Sequence, residues 1–286
     1  MRAVPYVALF ALRESLRRKV FLVVLLLTVA FLGLYAVGVR QAFKEVGELG
    51  GGEFSEAVDT TVVVGATLFG LSMFATLFLG AVLAVFLTLG VVRGDAERGL
   101  LQPLVVRPLG RAQLLLARWL GTSAVCAVYV LMVYAAAMVI TAWTGGWWPD
   151  RVIMPGLALA AGVAVLAALS LLGSVFLSST ANGIAVFMVF GAGLVAGLLG
   201  QIGEGLRSET LQRVAEIASW ILPFEALYQA GLAAITVDTS GFTRFAVQLG
   251  PFGGAQEGSA LLWPYTLVYL VAVGVAAAVG FARRDL

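Results

Sequence analysis

Long runs of residues without any charged side chain constrain the fold of this chain more than any other feature. One run covers residues 60–92 and another covers residues 152–203, whereas a helix needs only about 20 residues to cross the hydrocarbon core of a bilayer. Of the 286 residues, 61% are hydrophobic and 12% are charged. A soluble fold could not bury this much apolar surface, so the sequence predicts a polytopic membrane protein.

The apolar runs predict an all-α fold with six transmembrane helices. The run over residues 152–203 is long enough for two helices, and S-S-T-A-N-G at residues 178–183 is the expected turn between them. The run over residues 60–92 is longer than the bilayer core, so its helix is expected to tilt, kink or project from the membrane. Within one transmembrane domain over residues 1–286, we predict spans at about residues 20–39, 60–92, 119–143, 152–177, 183–203 and 261–281.

Three segments outside the predicted spans have patterns of their own. Residues 5–19 mix apolar and basic side chains, which favours a helix lying in the membrane interface over a simple basic flank that orients the first span. Residues 40–59 are rich in acidic residues and contain three consecutive glycines, which is typical of an exposed, flexible loop. Residues 204–260 begin polar and become amphipathic, which predicts interfacial or re-entrant helices before the last span.

Pro223 and Glu225 interrupt the apolar stretch over residues 217–237. We therefore predict that this stretch does not cross the membrane as one continuous helix. Glu225 follows Pro223 by two residues, so we expect it in the first turn of a helix, where the helix dipole favours an acidic side chain. A role as a substrate gate is the alternative.

The distribution of charge predicts the orientation in the membrane. With six spans and a cytoplasmic N-terminus, the inner segments hold 12 of the 18 basic residues but 4 of the 16 acidic residues. Such an excess of Arg and Lys on the cytoplasmic side is the normal bias of membrane proteins. We therefore predict that both termini are cytoplasmic and that residues 204–260 are extracytoplasmic. Arginine far outnumbers lysine, which is typical of GC-rich bacteria, so a bacterial cytoplasmic (inner) membrane is expected.

Groups that carry chemistry are missing from the predicted spans. Their cores contain no Asp, Glu, Lys, Arg or His, although ion-coupled carriers usually need such groups near the middle of the bilayer. The chain has no histidine and no Walker A sequence, so neither a zinc peptidase site nor ATP hydrolysis is expected within it. We expect no catalytic residue, cofactor, metal or nucleic-acid partner, and the energy for any uphill transport must come from another subunit.

The densest cluster of charge lies between the second and third predicted spans. It begins at residue 95 with D-A-E-R-G-L-L-Q-P-L-V-V-R-P-L-G-R. This stretch and its continuation resemble the signature of permeases of the type-2 (ABC-2) exporter class of ABC transporters. The matching residues are Glu97, Gly99, Leu101, Leu104, Arg107, Pro108, Leu109, Arg111, Leu114, Leu115, Leu120 and Gly121.

The resemblance also covers the six-span layout and the C-terminal sequence F-A-R-R-D-L. Pro103 is the most consequential departure, because it stands where the family has an apolar residue and is expected to break or kink the helix. The other departures are Leu100, Gly110, Ala117 and Arg118.

The resemblance implies a permease subunit that works with a separate cytosolic ABC ATPase. Two permeases, this chain with a second copy or a paralogue, would combine with two ATPases that bind ATP and Mg²⁺. Residues 95–111 would form the cytoplasmic coupling helix that docks on the ATPase. Its docking residues would be Asp95, Glu97, Arg98, Gly99, Leu100, Leu101, Leu104, Val105, Arg107, Pro108 and Arg111.

The residue types in this stretch favour docking independently of the resemblance. Its leucines and Val105 offer an apolar ridge to a pocket on a partner, and its arginines can pair with carboxylates around that pocket. The alternative is that the arginines only hold the loop inside and contact lipid phosphates. For the function as a whole, the alternative is a membrane anchor or assembly factor that recruits a cytosolic ATPase without transporting a substrate.

Hydroxyl groups are spaced along the predicted spans. Such groups usually bond to a backbone carbonyl or to a neighbouring helix, and a place along a transport path is the alternative for some of them. Cys126, the single cysteine, is expected to contribute packing only. The hydroxyl groups are those of Thr67, Ser72, Thr76, Ser123, Tyr129, Tyr134, Ser170 and Ser174.

The predicted orientation can be tested by cysteine labelling. In a Cys126→Ala background, a cysteine at Ser55 or Ser240 should react with an impermeant maleimide in intact cells, because both positions are predicted outside. Labelling is read from a gel shift of the purified chain. Reaction only after permeabilisation would reverse the orientation.

Overall fold

A computed structural model describes residues 19–49, 58–88, 111–241, 243, 256 and 258–283. Over these ranges the chain forms helices joined by turns, and none of the described residues lies in a β-strand. The all-α prediction is therefore confirmed. The predicted interfacial helix at residues 5–19 and the coupling segment at residues 95–111 lie outside the described residues, apart from Lys19 and Arg111.

Six of the eight described helices are long and apolar enough to cross a membrane, as predicted. These are α1 to α5 and α8, whereas α6 and α7 are short and lie between the fifth and sixth spans. The bounds are α1 Lys19–Leu49, α2 Thr60–Thr88, α3 Arg111–Gly145, α4 Ile153–Phe176, α5 Ser179–Gly205, α6 Glu209–Ile221, α7 Pro223–Ala233 and α8 Leu262–Ala282.

Helix α4 lies at the centre of the bundle. It packs against α2, α3, α5, α7 and α8, and α2 and α4 are the most buried of the six spans. Helices α1, α5 and α8 are the least buried. The outward faces of these three helices are apolar, which suits contact with lipid or with a second membrane subunit.

A glycine allows the three central spans to approach one another closely. A Cβ atom on Gly80 of α2 would lie 2.7 Å from Cγ2 of Val130 on α3 and 2.8 Å from Cγ2 of Val163 on α4. Lipid tails are as apolar as leucine, so helices in a membrane associate through close packing of this kind rather than through the hydrophobic effect. Gly80 therefore marks the point where α2, α3 and α4 are held together.

The described part of the segment before α8 contains two short helices, α6 and α7, where the apolar stretch could have formed a seventh span. Helix α6 ends at Ile221 and α7 begins at Pro223, because proline is tolerated at the first position of a helix but not in its interior. The stretch over residues 217–237 is therefore not one continuous helix. Glu225 lies in the first turn of α7, so its predicted local position is confirmed.

The first span is longer than its apolar run. Residues 40–59 were expected to form a loop, but α1 continues to Leu49, and this part of the prediction is wrong. The side-chain amide of Gln41 donates to Glu45 at 3.0 Å, and Lys44 lies 3.8 Å from Glu48, which are favourable pairs at helical spacing. The ring of Phe43 also packs against Gly145.

The turn between the fourth and fifth spans is shorter than the sequence suggests. Helix α4 ends at Phe176 and α5 begins at Ser179, so most of S-S-T-A-N-G is helical rather than turn. The hydroxyl of Ser178 accepts a hydrogen bond from the backbone N–H of Ala181 at 3.4 Å. The backbone carbonyl of Ser178 accepts another from the backbone N–H of Asn182 at 2.8 Å. Ser178 thus acts as the N-cap that starts α5 early.

Most of the hydroxyl groups in the spans have the partners expected of them. Ser72, Thr76 and Ser174 donate to carbonyls of their own helices. Tyr129 bonds to Thr28 of α1, and Tyr134 donates to the carbonyl of Val152. The buried hydroxyl of Ser123 is an exception, because it has no partner among the described residues.

Candidate functional site

The structure describes the helices on either side of the predicted coupling segment, but of the segment itself only Arg111. Of the eleven docking residues predicted from the sequence, ten lie in the undescribed range 89–110, and only the backbone of Arg111 is described, as the first residue of α3. Helix α2 ends at Thr88. Residues 89–110 therefore connect two helices that pack against each other and against α4.

A buried polar network begins at Thr88, the last residue of α2. The Thr88 hydroxyl lies 2.5 Å from the Ser170 hydroxyl of α4. The side-chain amide of Asn182 on α5 donates to the Ser170 carbonyl at 2.9 Å and lies 3.4 Å from the Ser170 hydroxyl. All three side chains are at most 1% exposed. These hydrogen bonds join α2, α4 and α5 at one point, and they are stronger there than in water because the groups are buried.

The network depends on a glycine of α4. A Cβ atom at Gly173 would overlap the side-chain oxygen of Asn182, so only glycine lets the amide enter this space. That oxygen has no hydrogen-bond partner among the described residues. Among the described residues, the Asn182 side chain is thus held through its amide nitrogen alone.

The start of α3 is also tied to α4. The indole N–H of Trp119 donates to the carbonyl oxygen of Ala164 at 3.2 Å. An apolar cleft of about 410 Å³ lies beside this bond, between α3, α4 and α8. Its described lining consists of apolar side chains such as Leu115, Leu171 and Val273, and these offer no polar group that would orient a hydrophilic molecule.

A polar site lies where α5, α6, α7 and the start of α8 meet. The Glu225 side chain is only 4% exposed and lies against Gly197 of α5. The side-chain amide of Gln229 donates to Glu225 Oε1 at 2.8 Å, and the amide of Gln201 approaches Gln229 Oε1 at 3.4 Å. The short helix α7 thus presents a carboxylate and an amide toward the last turns of α5.

Two adjoining pockets open on this site, with volumes of about 240 and 250 Å³. Both are lined by Glu216, Ser219, Glu225, Gln229 and Gln256. Burial raises the pKa of Glu225 to about 7, and the hydrogen bond from Gln229 opposes this rise. The carboxyl group is therefore close to the balance between its neutral and ionised forms at neutral pH.

Some of these residues were not singled out in the sequence. The sequence predicts Asn182 in a turn, and its patterns single out neither Thr88 nor Gln229. A carboxamide inside a charge-free run was the available signal for Asn182, because a buried amide needs partners in a membrane protein. Nothing in the sequence showed that Thr88 and Asn182 reach the same serine of α4.

A comparison with known protein families shows the family to which the chain belongs. A family model described as "ABC-2 family transporter protein" matches residues 7–286. The chain belongs to the ABC-2 family. No curated protein matches it individually. Permeases of this family form the membrane component of an ABC transporter, work with an ATPase subunit and are not themselves catalytic.

Family membership agrees with the architecture. This ABC-2 permease is a multi-pass membrane protein, and its described residues include six helices long and apolar enough to cross a membrane. The resemblance seen in the sequence around residues 97–121 is confirmed at the level of the family. The assignment of individual docking residues within that stretch stays a prediction.

Variants of Gly173 and Asn182 test the buried network. We expect Gly173→Ala and Asn182→Ala each to lower the free energy of unfolding by about 1–3 kcal/mol. The first does so by overpacking, and the second by removing the side-chain amide that donates to the Ser170 carbonyl. The double variant should be less destabilised than the sum, because removing the amide makes room for the new methyl group. The measurement is unfolding of the purified permease in a mild detergent.

Gly191→Ala is the control, because an added Cβ atom there meets no described residue within 4 Å. It should leave stability nearly unchanged. Strictly additive losses in the double variant would show that Gly173 and Asn182 are not in contact.

Proposed function

We propose that this permease exports a substrate using ATP hydrolysis by a separate ATPase, and that residues 95–111 receive the ATPase. The observation that carries the proposal is the way the ends of residues 89–110 are attached. The helix before the segment bonds to α4 through Thr88, and the helix after it bonds to α4 through Trp119. A displacement of the segment would therefore act directly on the central span.

The composition of the spans supports an external source of energy. The charge-free runs offer no intramembrane acid, base or histidine that could couple transport to an ion gradient. The chain also lacks a Walker A sequence for holding ATP phosphates. Work supplied by a partner then has to enter through a cytoplasmic element, and the segment joining α2 and α3 has the required size and charge.

The chemistry of the segment suits docking in a groove. Its apolar ridge, which consists of Leu100, Leu101, Leu104 and Val105, would fill the pocket of the ATPase. Its arginines, Arg98, Arg107 and Arg111, would pair with carboxylates around that pocket. The remaining docking residues, Asp95, Glu97, Gly99 and Pro108, would set the charge and backbone shape at its ends.

The proposed assembly contains two permeases and two ATPases in a bacterial cytoplasmic membrane, with both permease termini in the cytoplasm. The little-buried helices α1, α5 and α8 supply surface for the second permease and for lipid. In this orientation the network at Thr88 lies toward the cytoplasm, and the pockets around Glu225 lie toward the outside.

Two paired substitutions test the docking role. Reversing the charge of Arg107 and Arg111 together should weaken association with the ATPase, by about 2–5 kcal/mol if the pairs are buried and by far less if they lie at the rim. Replacing Leu101 and Leu104 by Asp should weaken it more, because charge would enter an apolar pocket. The measurements are recovery of the ATPase with the tagged permease and substrate-stimulated ATP hydrolysis.

Reversal of Arg207 and Arg213 is the matched control. Both are exposed and are predicted to lie on the other side of the membrane, so association should not change. Unchanged ATPase recovery in both docking variants would reduce residues 95–111 to a loop that only sets topology. ATPase recovery without any stimulated hydrolysis would favour the membrane anchor over the exporter.

A further inference from the structure

The pockets around Glu225 are not explained by a role in ATPase docking. They belong to α5, α6, α7 and the start of α8, whereas the coupling segment joins α2 and α3. Gln201, Gln229 and Glu225 form a chain of hydrogen-bonding side chains that crosses from α5 to α7. A pocket with a few convergent polar side chains is a candidate binding site for a small molecule.

Among the described residues, the Glu225 carboxylate has few hydrogen-bond partners. Within the part of the chain that the structure describes, Gln229 is the single hydrogen-bond donor that reaches it. A buried carboxylate normally accepts several hydrogen bonds or pairs with a cation. Glu225 lines both pockets, so a ligand in either pocket would lie beside its carboxylate.

The charged side chains in the described lining of the pockets are acidic. Glu216 and Glu225 line both pockets, and none of the described lining residues is Arg or Lys. The other polar groups are amides and hydroxyls, whose oxygens accept hydrogen bonds. The site therefore attracts a molecule that carries positive charge and hydrogen-bond donors, and it repels an anion.

One wall of the site is aromatic. Trp220 of α6 and Tyr265 of α8 line the first pocket, and their rings meet edge to face with centroids 4.6 Å apart. The Tyr265 hydroxyl donates to the carbonyl of Trp220, which fixes the pair. Aromatic faces attract ammonium and guanidinium groups and also offer apolar surface to the carbon atoms beside them.

The size of the site favours an organic cation over a metal ion. A bare metal ion needs several oxygen ligands at short distance, and no group of three or more acidic, Cys or His side chains in the described residues is placed to hold one. The two pockets, of about 240 and 250 Å³, together approach the volume of a small-molecule site.

We propose that the pockets around Glu225 form a binding site for a small organic cation, with its ammonium or guanidinium group at Glu225 and its carbon skeleton against Trp220 and Tyr265. Gly197 belongs to the site because a Cβ atom there would overlap Glu225 Oε1. The close approach of α5 thus sets the position of the carboxylate. Binding requires the permease alone, so the proposal stands apart from ATPase docking.

The experiment compares a cation with its neutral analogue on the permease alone. The purified permease in a non-ionic detergent is titrated by calorimetry at pH 8 with 2-phenylethylamine and with 2-phenylethanol. The amine is protonated at this pH, as lysine is, and Glu225, with a pKa of about 7, is mostly ionised. We expect the amine to bind at least about tenfold more tightly than the alcohol.

Matched pairs of variants locate the binding. Glu225→Gln and Gly197→Ala should each weaken amine binding about tenfold, the first by removing the charge and the second by displacing it. Two control variants, Glu209→Gln and Gly191→Ala, should bind the amine as the wild type does. Glu209 is an exposed acid on α6 and is not among the described lining residues. An added Cβ atom at Gly191 meets no described residue within 4 Å.

Each outcome decides the proposal. Equal affinity of the wild type for amine and alcohol, or no binding of the amine, overturns it, and so does wild-type affinity in folded Glu225→Gln. If neither pocket variant folds, Glu216→Gln takes their place, because it alters an exposed acid of the same lining. This variant should weaken amine binding a few fold, and an unchanged affinity overturns the proposal. Loss of ATPase association in the docking variants would leave all these results unaffected, so the two proposals fail separately.

Discussion

The close contact of α2, α3 and α4 at Gly80 is the interaction on which the rest of the structure depends. Two valine side chains, from Val130 and Val163, occupy the space that any larger residue would need. Because lipid provides no hydrophobic force between apolar helices, packing and buried hydrogen bonds have to hold the bundle together. The bonds of Thr88 and Trp119 to α4 belong to the same core, at the end where residues 89–110 leave it.

Helix α5 contributes both to the buried network at Thr88 and to the pockets around Glu225. Asn182 lies in its first turn and contacts Ser170 of the central span, whereas Gly197 lies against Glu225. At 1.5 Å per residue the two positions are about 22 Å apart along the helix, so they stand near opposite ends of a span. A rigid α5 would therefore move the Asn182 contact and the Glu225 pocket together, although α5 itself is one of the less buried spans.

The sequence predicted the spans well because a bilayer imposes a simple rule on composition. The charge-free run that starts at residue 60 forms one helix and the run over residues 152–203 forms two, whereas the apolar stretch over residues 217–237 is divided at Pro223. Helix ends were harder to predict, since pairs such as Lys44 with Glu48 extend α1 beyond its apolar run. Ser178 likewise starts α5 early, inside the expected turn.

The polar sites could be predicted only in part, because they are made by contacts between distant residues. The docking residues came from a contiguous stretch, whereas Thr88, Ser170 and Asn182 meet only when α2, α4 and α5 pack together.

Photocrosslinking is the most direct test of the central claim, that a separate ATPase binds to residues 95–111. A benzophenone on a cysteine at Leu101, in a Cys126→Ala background, should form an adduct with an ATP-binding subunit in cells, and the same label at Trp148 should not. Adducts with lipid alone at Leu101, or equal ATPase adducts at both positions, would contradict it.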